Sequence, residues 1–219
     1  MDKIFEHISR MKIIPVIVIE DAKDAVSLAQ ALCAGGLPCG EVTFRTEAAV
    51  EGIKKIHEKF PGMLIGAGTV LTKTQVDQAM EAGAQFIVSP GFDSEVVDYC
   101  ISRNIPVIPG CMTPTEITMA VKAGLSVVKF FPAQPAGGIT MLKALAAPYP
   151  KLKFMPTGGI DPQNLKDYLS FSKVIACGGS WMVKENLIKA GDFDKIYELT
   201  KNAVALAQEG SMTDASSKI

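Results

Sequence analysis

The sequence predicts an α/β fold in which short buried strands alternate with amphipathic helices. Eight short apolar runs begin 20 to 26 residues apart along the 219-residue chain. Such regular spacing is typical of repeated strand–helix units. No linker or change in composition interrupts the series, so we predict a single (β/α)8 barrel, the TIM barrel. A doubly wound open sheet is the main alternative.

The predicted strands are rich in Val, Ile and Phe, as buried parallel strands are. They cover Ile13–Ile19, Cys39–Phe44, Leu64–Gly68, Phe86–Ser89, Pro106–Pro109, Val127–Phe131, Lys153–Thr157 and Val174–Cys177.

Helix start and stop signals occupy the segments between the strands. Thr113 and Glu116 flank Pro114 in the pattern of a capping box, and Asp161 before Pro162 predicts another helix start. Glycines that follow alanine predict helix ends at three places, Gly35-Gly36, Gly83 and Gly124.

Both ends of the chain differ from the repeated units. Residues 1–10 are charged and amphipathic, with no apolar core or cleavage site, which predicts an extra N-terminal surface helix rather than a signal peptide. Residues 210–219 are rich in Ser and predict a flexible C-terminal tail. We therefore expect one barrel domain over residues 1–209.

Composition excludes several classes of function. Lys and Arg number 22 against 23 Asp and Glu, so no basic footprint for nucleic acid or membrane is expected. The five cysteines are scattered without a CxxC pair, which favours a reducing, cytoplasmic setting. Two histidines, His7 and His57, lie in charged segments, so a metal site is not expected. No cofactor is expected either.

The second predicted strand carries three polar side chains near its end. Alternation places Glu41, Thr43 and Arg45 on one face. In a barrel, functional side chains gather at the C-terminal ends of the strands. A carboxylate and a guanidinium there suit acid–base chemistry and carboxylate binding. The alternative is a solvated strand end with a local ion pair.

The sixth predicted strand contains a lysine in an apolar setting. Lys129 follows Val127 and Val128 and precedes Phe130 and Phe131. Apolar surroundings disfavour the ammonium ion, and a neutral amine can form an imine with a carbonyl substrate. The alternatives are a lysine that extends to solvent or one that binds an anion.

Glycine pairs follow the last two strands, at Gly158-Gly159 and Gly178-Gly179. Loops in these two positions of a TIM barrel often bind phosphate through backbone N–H groups. Small residues also follow strands three and four, where Thr69 and Pro90 could line a pocket or form plain turns.

Together these residues resemble a known family, the class I 2-keto-3-deoxy-6-phosphogluconate (KDPG) and 4-hydroxy-2-oxoglutarate (KHG) aldolases. The most specific matches are the EVTFR segment at 41–45 and the KFFPA segment at 129–133. The matching segments run in order from residue 15 to residue 181, nearly the whole chain. The family works as a homotrimer, so the resemblance implies a homotrimer here.

The resemblance implies a role for each matching residue. Lys129 would form the Schiff base, and Glu41 would be the general acid and base. Arg45 and Thr69 would bind the carboxylate of the keto acid, with Pro90 lining the site.

The remaining matches concern the pocket wall and the leaving aldehyde. Phe131 would form a wall, and Thr157 would help to set stereochemistry at the new carbon centre. The phosphate cradle would consist of Gly158, Gly159, Gly179 and Ser180.

The implied reaction is metal-independent cleavage of KDPG to pyruvate and glyceraldehyde 3-phosphate, with cleavage of KHG to pyruvate and glyoxylate as a further activity. Two alternatives stay open from the residues alone. One is another phosphate-binding TIM-barrel lyase or isomerase, such as a 2-keto-3-deoxy-6-phosphogalactonate aldolase. The other is a non-catalytic barrel in which Glu41 and Lys129 form a buried ion pair.

Overall fold

A computed structural model describes residues 2–209 of the chain. The predicted flexible tail at 210–219 lies outside the described residues.

The strands are parallel and form a curled sheet in two parts. They are β1 Ile13–Ile17, β2 Cys39–Thr43, β3 Leu64–Gly68, β4 Phe86–Val88, β5 Val107–Ile108, β6 Gly110–Cys111, β7 Val127–Phe130, β8 Lys153–Pro156 and β9 Cys177–Gly179. The first part has the order β5-β4-β3-β2-β1-β9, and the second has the order β6-β7-β8. Every pairing is parallel, because a helix or helical turn returns the chain between successive paired strands.

The sheet divides at Pro109, which separates β5 from β6. Proline has no N–H to donate to a neighbouring strand, so it interrupts the ladder. The sequence predicted one strand over Pro106–Pro109 and did not predict β6. The chain nevertheless stays beside the segment that follows β4 as it passes Pro109, because the Gly110 N–H donates to the Ser89 carbonyl at 3.0 Å.

The last predicted strand was placed too early. Val174 makes only an isolated bridge with Phe154, whereas Cys177 to Gly179 pair with Ile13 to Pro15 of β1. The apolar Val174-Ile175-Ala176 run suggested a strand, but the pairing partner determines its position. The strand is therefore formed by the glycine segment itself.

Helices cover the sheet. They are α1 Asp2–Met11, α2 Ala25–Ala34, α3 Ala49–Lys59, α4 Lys73–Glu81, α5 Ser94–Ser102, α6 Pro114–Lys122, α7 Gly138–Ala146, α8 Leu165–Leu169, α9 Glu185–Lys189 and α10 Phe193–Glu209. Their apolar faces and the strands form one continuous buried core of Ile, Leu, Val, Ala and Phe. Such burial supplies most of the driving force for folding.

The predicted helix signals are confirmed with one exception. The capping box at Thr113 and Glu116 is present, and Gly36, Gly83 and Gly124 have positive φ after helix ends. Asp161, however, begins a turn rather than the helix. Its side chain accepts hydrogen bonds from the N–H groups of Gln163 and Asn164, and α8 starts only at Leu165.

Within residues 2–209, no helix combines the length and the apolar character that a membrane span requires.

Candidate active site

A cavity of about 440 Å³ lies at the C-terminal ends of β1, β8 and β9. Its wall includes seven of the residues that the sequence predicted for the site: Arg45, Phe131, Thr157, Gly158, Gly159, Gly179 and Ser180. Carboxyl ends of parallel strands meet at one edge of the sheet, which explains why residues 45 to 180 come together.

Lys129 and Glu41 meet in the interior beside this cavity. Lys129 lies on β7 and is 5% exposed, and Glu41 lies on β2 and is fully buried. The Lys129 Nζ atom donates to the Glu41 Oε1 atom at 3.1 Å. It also lies 5.2 Å from the ring centroid of Phe131, which lines the cavity. The amine is thus adjacent to the cavity wall and paired with a carboxylate.

The second carboxylate oxygen of Glu41 has no hydrogen-bond partner within the described residues. A buried oxygen without a donor is costly in a folded protein. A buried ion pair of this kind is weak evidence for a stabilising role. The buried pair and its unpartnered oxygen therefore favour a role in chemistry over a role in stability.

Glycine makes room for the Glu41 carboxylate. A Cβ atom added at Gly68 would lie 2.2 Å from Glu41 Oε1. Gly68 is therefore required by its neighbour on β2, because any larger residue would displace the carboxylate.

The three polar residues near the end of β2 have different surroundings. The buried Thr43 hydroxyl donates to the Ile17 carbonyl at 2.9 Å, so it belongs to the backbone network. Arg45 lies beyond the end of β2, exposed on the cavity wall. Its guanidinium is available to an anion in the cavity.

Thr69 and Pro90 follow β3 and β4 at the same edge of the sheet, and both are half-buried. The structure does not place them on the cavity wall. Thr69 has φ = +56°, a left-handed conformation that is unusual for a β-branched residue. Such conformations cost on the order of 1–3 kcal/mol and cluster at functional sites.

Two glycine segments form part of the cavity wall. Gly158 and Gly159 have φ of +98° and +75°, which glycine adopts without a steric penalty. A Cβ at Gly178 would lie 2.3 Å from the Thr157 hydroxyl oxygen. The Trp181 ring covers Gly179 so closely that a Cβ there would lie 1.9 Å from it. Trp181 therefore packs against the backbone of the second glycine segment.

The sequence reasoning missed several residues of the wall. The cavity is also lined by Val16 and Val18, and by Lys184, Glu185 and Asn186. The last three lie only five to seven residues after Gly179, so their position after the last strand was the signal that could have identified them. Lys184 adds a second cation to a wall that already includes Arg45.

The buried cysteines are poor candidates for the nucleophile. Burial raises the pKa of Cys111 to about 12 and also raises the pKa of Cys177, which lies on β9. Both remain thiols at neutral pH, and a thiol is far less nucleophilic than a thiolate. Both belong to the buried core of the fold.

Among residues 2–209, no three His, Cys, Asp or Glu side chains are grouped so that they could hold a metal ion.

Comparison with known proteins gives a consistent result. Residues 4–199 match the family described as KDPG and KHG aldolase. A 2-dehydro-3-deoxy-phosphogluconate aldolase from Treponema pallidum is 50% identical over 206 residues, which cover 94% of this chain and 98% of that protein. A KHG/KDPG aldolase from Escherichia coli is 44% identical over 192 residues, covering 88% of this chain and 90% of that protein.

A solved structure has the same fold. The crystal structure of KDPG aldolase from Legionella pneumophila, with pyruvate captured as a covalent carbinolamine intermediate, has a TM-score of 0.88 and 42% identity. The match covers 91% of this chain and 97% of that one. Since the family match spans most of the chain and the relatives match over nearly their full length, the chain belongs to the KDPG and KHG aldolase family.

Proposed function

We propose that this protein is a class I aldolase that cleaves KDPG to pyruvate and glyceraldehyde 3-phosphate. The observation that carries the proposal is the Lys129 amine, buried beside the cavity and hydrogen-bonded to Glu41. Relatives of 44% and 50% identity that are named as aldolases of this substrate support it.

Lys129 is the nucleophile in this proposal. Its ammonium proton passes to Glu41, whose oxygen is 3.1 Å away, and the free amine attacks the C2 ketone carbon. Glu41 returns that proton to the ketone oxygen, which gives a carbinolamine. Loss of the protonated oxygen as water leaves an iminium ion and leaves Glu41 as a carboxylate. That cation is the electron sink for the next step.

Glu41 acts as general base and then as general acid. Directly or through a water, it removes the proton of the C4 hydroxyl group. The C4–O bond becomes a carbonyl, the C3–C4 bond breaks, and its electron pair forms an enamine. After the aldehyde leaves, Glu41 protonates C3, and water hydrolyses the resulting imine to pyruvate and free Lys129.

The cations and hydroxyls around the pair would orient the keto acid. Arg45 and Thr69 hold the carboxylate, with Pro90 beside them and Phe131 as a wall. A guanidinium can bind a carboxylate through two parallel hydrogen bonds, which directs the ketone towards the amine. Thr157 contributes to stereochemistry at C4.

The glycine segments would hold the phosphate of the substrate. Gly158, Gly159, Gly179 and Ser180 all line the cavity, and backbone N–H groups in such loops bind anions. The same pair of catalytic residues would cleave KHG, which carries no phosphate. A relative named as a KHG/KDPG aldolase supports this second substrate.

We also propose that residues 1–209 form one closed (β/α)8 barrel with an extra N-terminal helix. The bridge between Thr157 and Gly178 links β8 to β9, and the chain continues through Pro109 from β5 to β6. These contacts support closure on both sides of the sheet. A crystal structure with an open edge at β8 would contradict the closed barrel.

The resemblance to the aldolase family also suggests how the protein assembles and where it is located. We propose a homotrimer in the cytoplasm, and the five free cysteines agree with a reducing compartment. Recovery of the native protein in an envelope fraction rather than a cytoplasmic fraction would contradict the location.

The decisive experiment is reductive trapping. Borohydride added in the presence of pyruvate should attach one reduced pyruvate to Lys129, detected by intact mass and peptide mapping. Lys129→Arg should not be labelled, while Lys153→Arg, a change on the neighbouring strand, should be labelled like the parent. Absence of an adduct, when a known class I aldolase is trapped in parallel, would reject the proposal.

Glu41→Gln separates the two stages of the reaction. Trapping of pyruvate should persist in part, whereas the turnover number for cleavage should fall by about 10²–10⁴-fold, the contribution of a general acid–base group. Unchanged turnover would remove Glu41 from the mechanism. Comparison of KDPG with its galactonate epimer in the same assay would determine the preference at C4.

A further inference from the structure

The first glycine segment has its carbonyl groups held from outside the cavity. The Gly158 carbonyl accepts a hydrogen bond from the Gln134 N–H at 2.9 Å. The Gly159 carbonyl accepts one from the Asn164 side-chain amide, also at 2.9 Å. Both donors come from segments that are not part of the cavity wall.

These bonds determine where the next N–H groups point. In a trans peptide the carbonyl and the following N–H point in opposite directions. Carbonyls held on the outside therefore turn the N–H groups of Gly159 and Ile160 towards the cavity, which both residues line. Within residues 2–209, neither N–H donates to a protein acceptor, so both can donate to an anion.

Gln134 is itself anchored by a buried tyrosine. The Tyr168 hydroxyl donates to Gln134 Oε1 at 2.7 Å, and Tyr168 is only 1% exposed. Gln134 also packs against the loop, because a Cβ added at Gly159 would lie 2.6 Å from Gln134 Cβ. Burial raises the pKa of Tyr168 to about 12, so the hydroxyl remains a donor at neutral pH.

Asn164 joins the two ends of the loop. Its Nδ2 donates to the Gly159 carbonyl, and its Oδ1 accepts from the Asp161 N–H at 3.0 Å. The sequence reasoning assigned no role to Asn164, Gln134 or Tyr168, and none of the three lines the cavity.

We propose that Gln134, Asn164 and Tyr168, here called the loop clamp, are positioning residues for phosphate. They hold the Gly158–Gly159 backbone so that two N–H groups face the phosphate group of the substrate. This inference rests on the proposed aldolase function. It extends that function by assigning recognition of the phosphorylated end to residues that do not touch the substrate.

The clamp predicts a selective effect on phosphorylated substrate. Tyr168→Phe and Asn164→Ala should each raise KM for the phosphorylated keto acid about threefold to tenfold, the range expected for one hydrogen bond. The turnover number should change by less than about twofold, because Lys129 and Glu41 are not disturbed. Inhibition by inorganic phosphate should weaken by the same factor as KM rises.

Trapping of pyruvate distinguishes phosphate positioning from a general structural role. A general structural defect would weaken pyruvate binding as well. The concentration of pyruvate that half-saturates borohydride trapping should be unchanged in both variants, because pyruvate has no phosphate. Tyr99→Phe is the matched control. It also removes a tyrosine hydroxyl, one that donates at 2.8 Å to Asp77. Asp77 lies on α4, and neither residue lines the cavity. Its kinetics should equal those of the parent.

The outcomes are distinguishable. A KM unchanged by both variants, or an equal loss for pyruvate trapping and for the phosphorylated substrate, would overturn the clamp. If Tyr168→Phe does not fold, Asn164→Ala carries the test alone, because its side chain is partly exposed. Failure of the parent protein to trap pyruvate would instead overturn the aldolase function on which the clamp rests.

Discussion

At the scale of single residues, the proposed chemistry depends on the buried contact between Lys129 and Glu41. Lys129 and Glu41 are nearly inaccessible to water, yet they adjoin a cavity. Electrostatic interactions are stronger where water is excluded, so a small displacement of either group has a large effect. Gly68 keeps the carboxylate in place by leaving space for it.

Gly68→Ala should therefore impair catalysis out of proportion to stability. Its backbone conformation is acceptable for alanine, but the new Cβ would collide with Glu41 Oε1. We expect the turnover number to fall about 10²-fold or more, with a loss of about 1–3 kcal/mol in unfolding free energy. Steady-state kinetics and urea unfolding measure the two effects.

Gly62→Ala is the control for this substitution. No atom lies within 4 Å of a Cβ added at Gly62, so both activity and stability should stay close to the parent values. Parent-like turnover in Gly68→Ala would show that the Glu41 position tolerates displacement.

At the scale of elements, local signals determine where helices begin, and pairing determines where strands lie. The capping box of α6 was readable from Thr113 and Glu116 because it depends on residues three apart. The register of β9 could not be read from the sequence, because it depends on hydrogen bonds with β1, more than 160 residues earlier. Apolar character alone cannot distinguish Val174 from Cys177 as a strand start.

Thr113→Ala should destabilise the protein by about 1 kcal/mol, the usual cost of losing an N-cap side chain. The Thr113 hydroxyl accepts from the Glu116 N–H, and that bond is lost. Thr115→Ala, an exposed change in the same turn, is the control and should have little effect. Equal stability of both variants in chemical denaturation would contradict the capping role.

The same box gives a pH dependence. Burial disfavours the charged Glu116 carboxylate, but hydrogen bonds from the backbone of Met112 and from Thr113 outweigh it, and the pKa of Glu116 lies below its ordinary 4.5. A carboxylate whose pKa is lower in the folded state stabilises the protein fully above pH 4.5, the ordinary value. This stabilisation is lost as the pH falls from there through the lower, folded-state pKa. Glu116→Gln should therefore destabilise at pH 7, and the difference should shrink at pH 3.

At the scale of the whole molecule, the fold brings distant segments to one edge of a curled sheet. Several large apolar side chains remain exposed elsewhere, including Leu71, Met112, Met119 and Val121. Isolated exposed side chains are common, but association of subunits would bury such surface. They are consistent with the proposed assembly.

Sedimentation equilibrium should give a mass three times the 23.3 kDa of the chain. The homotrimer predicts this value at micromolar concentration, with no dependence on pyruvate. A stable mass of one chain would contradict it. The catalytic proposal would be unaffected, because every residue it uses belongs to a single chain.

The sequence by itself determined the α/β class, the family and the residues of the proposed chemistry. Strand spacing is a local periodicity, and the EVTFR and KFFPA segments are contiguous, so both are visible without a structure. The conformations of Gly36, Gly83 and Gly124 were equally local. Seven of the eleven predicted site residues line the cavity.

Only the tertiary structure decided which of these groups meet. The contact between Lys129 and Glu41 joins residues 88 apart, and the need for glycine at position 68 exists only because Glu41 packs against it. The loop clamp could not be predicted from the sequence for the same reason. The roles of its residues come from proximity across strands and loops, and proximity is set by packing rather than by any local pattern of residues.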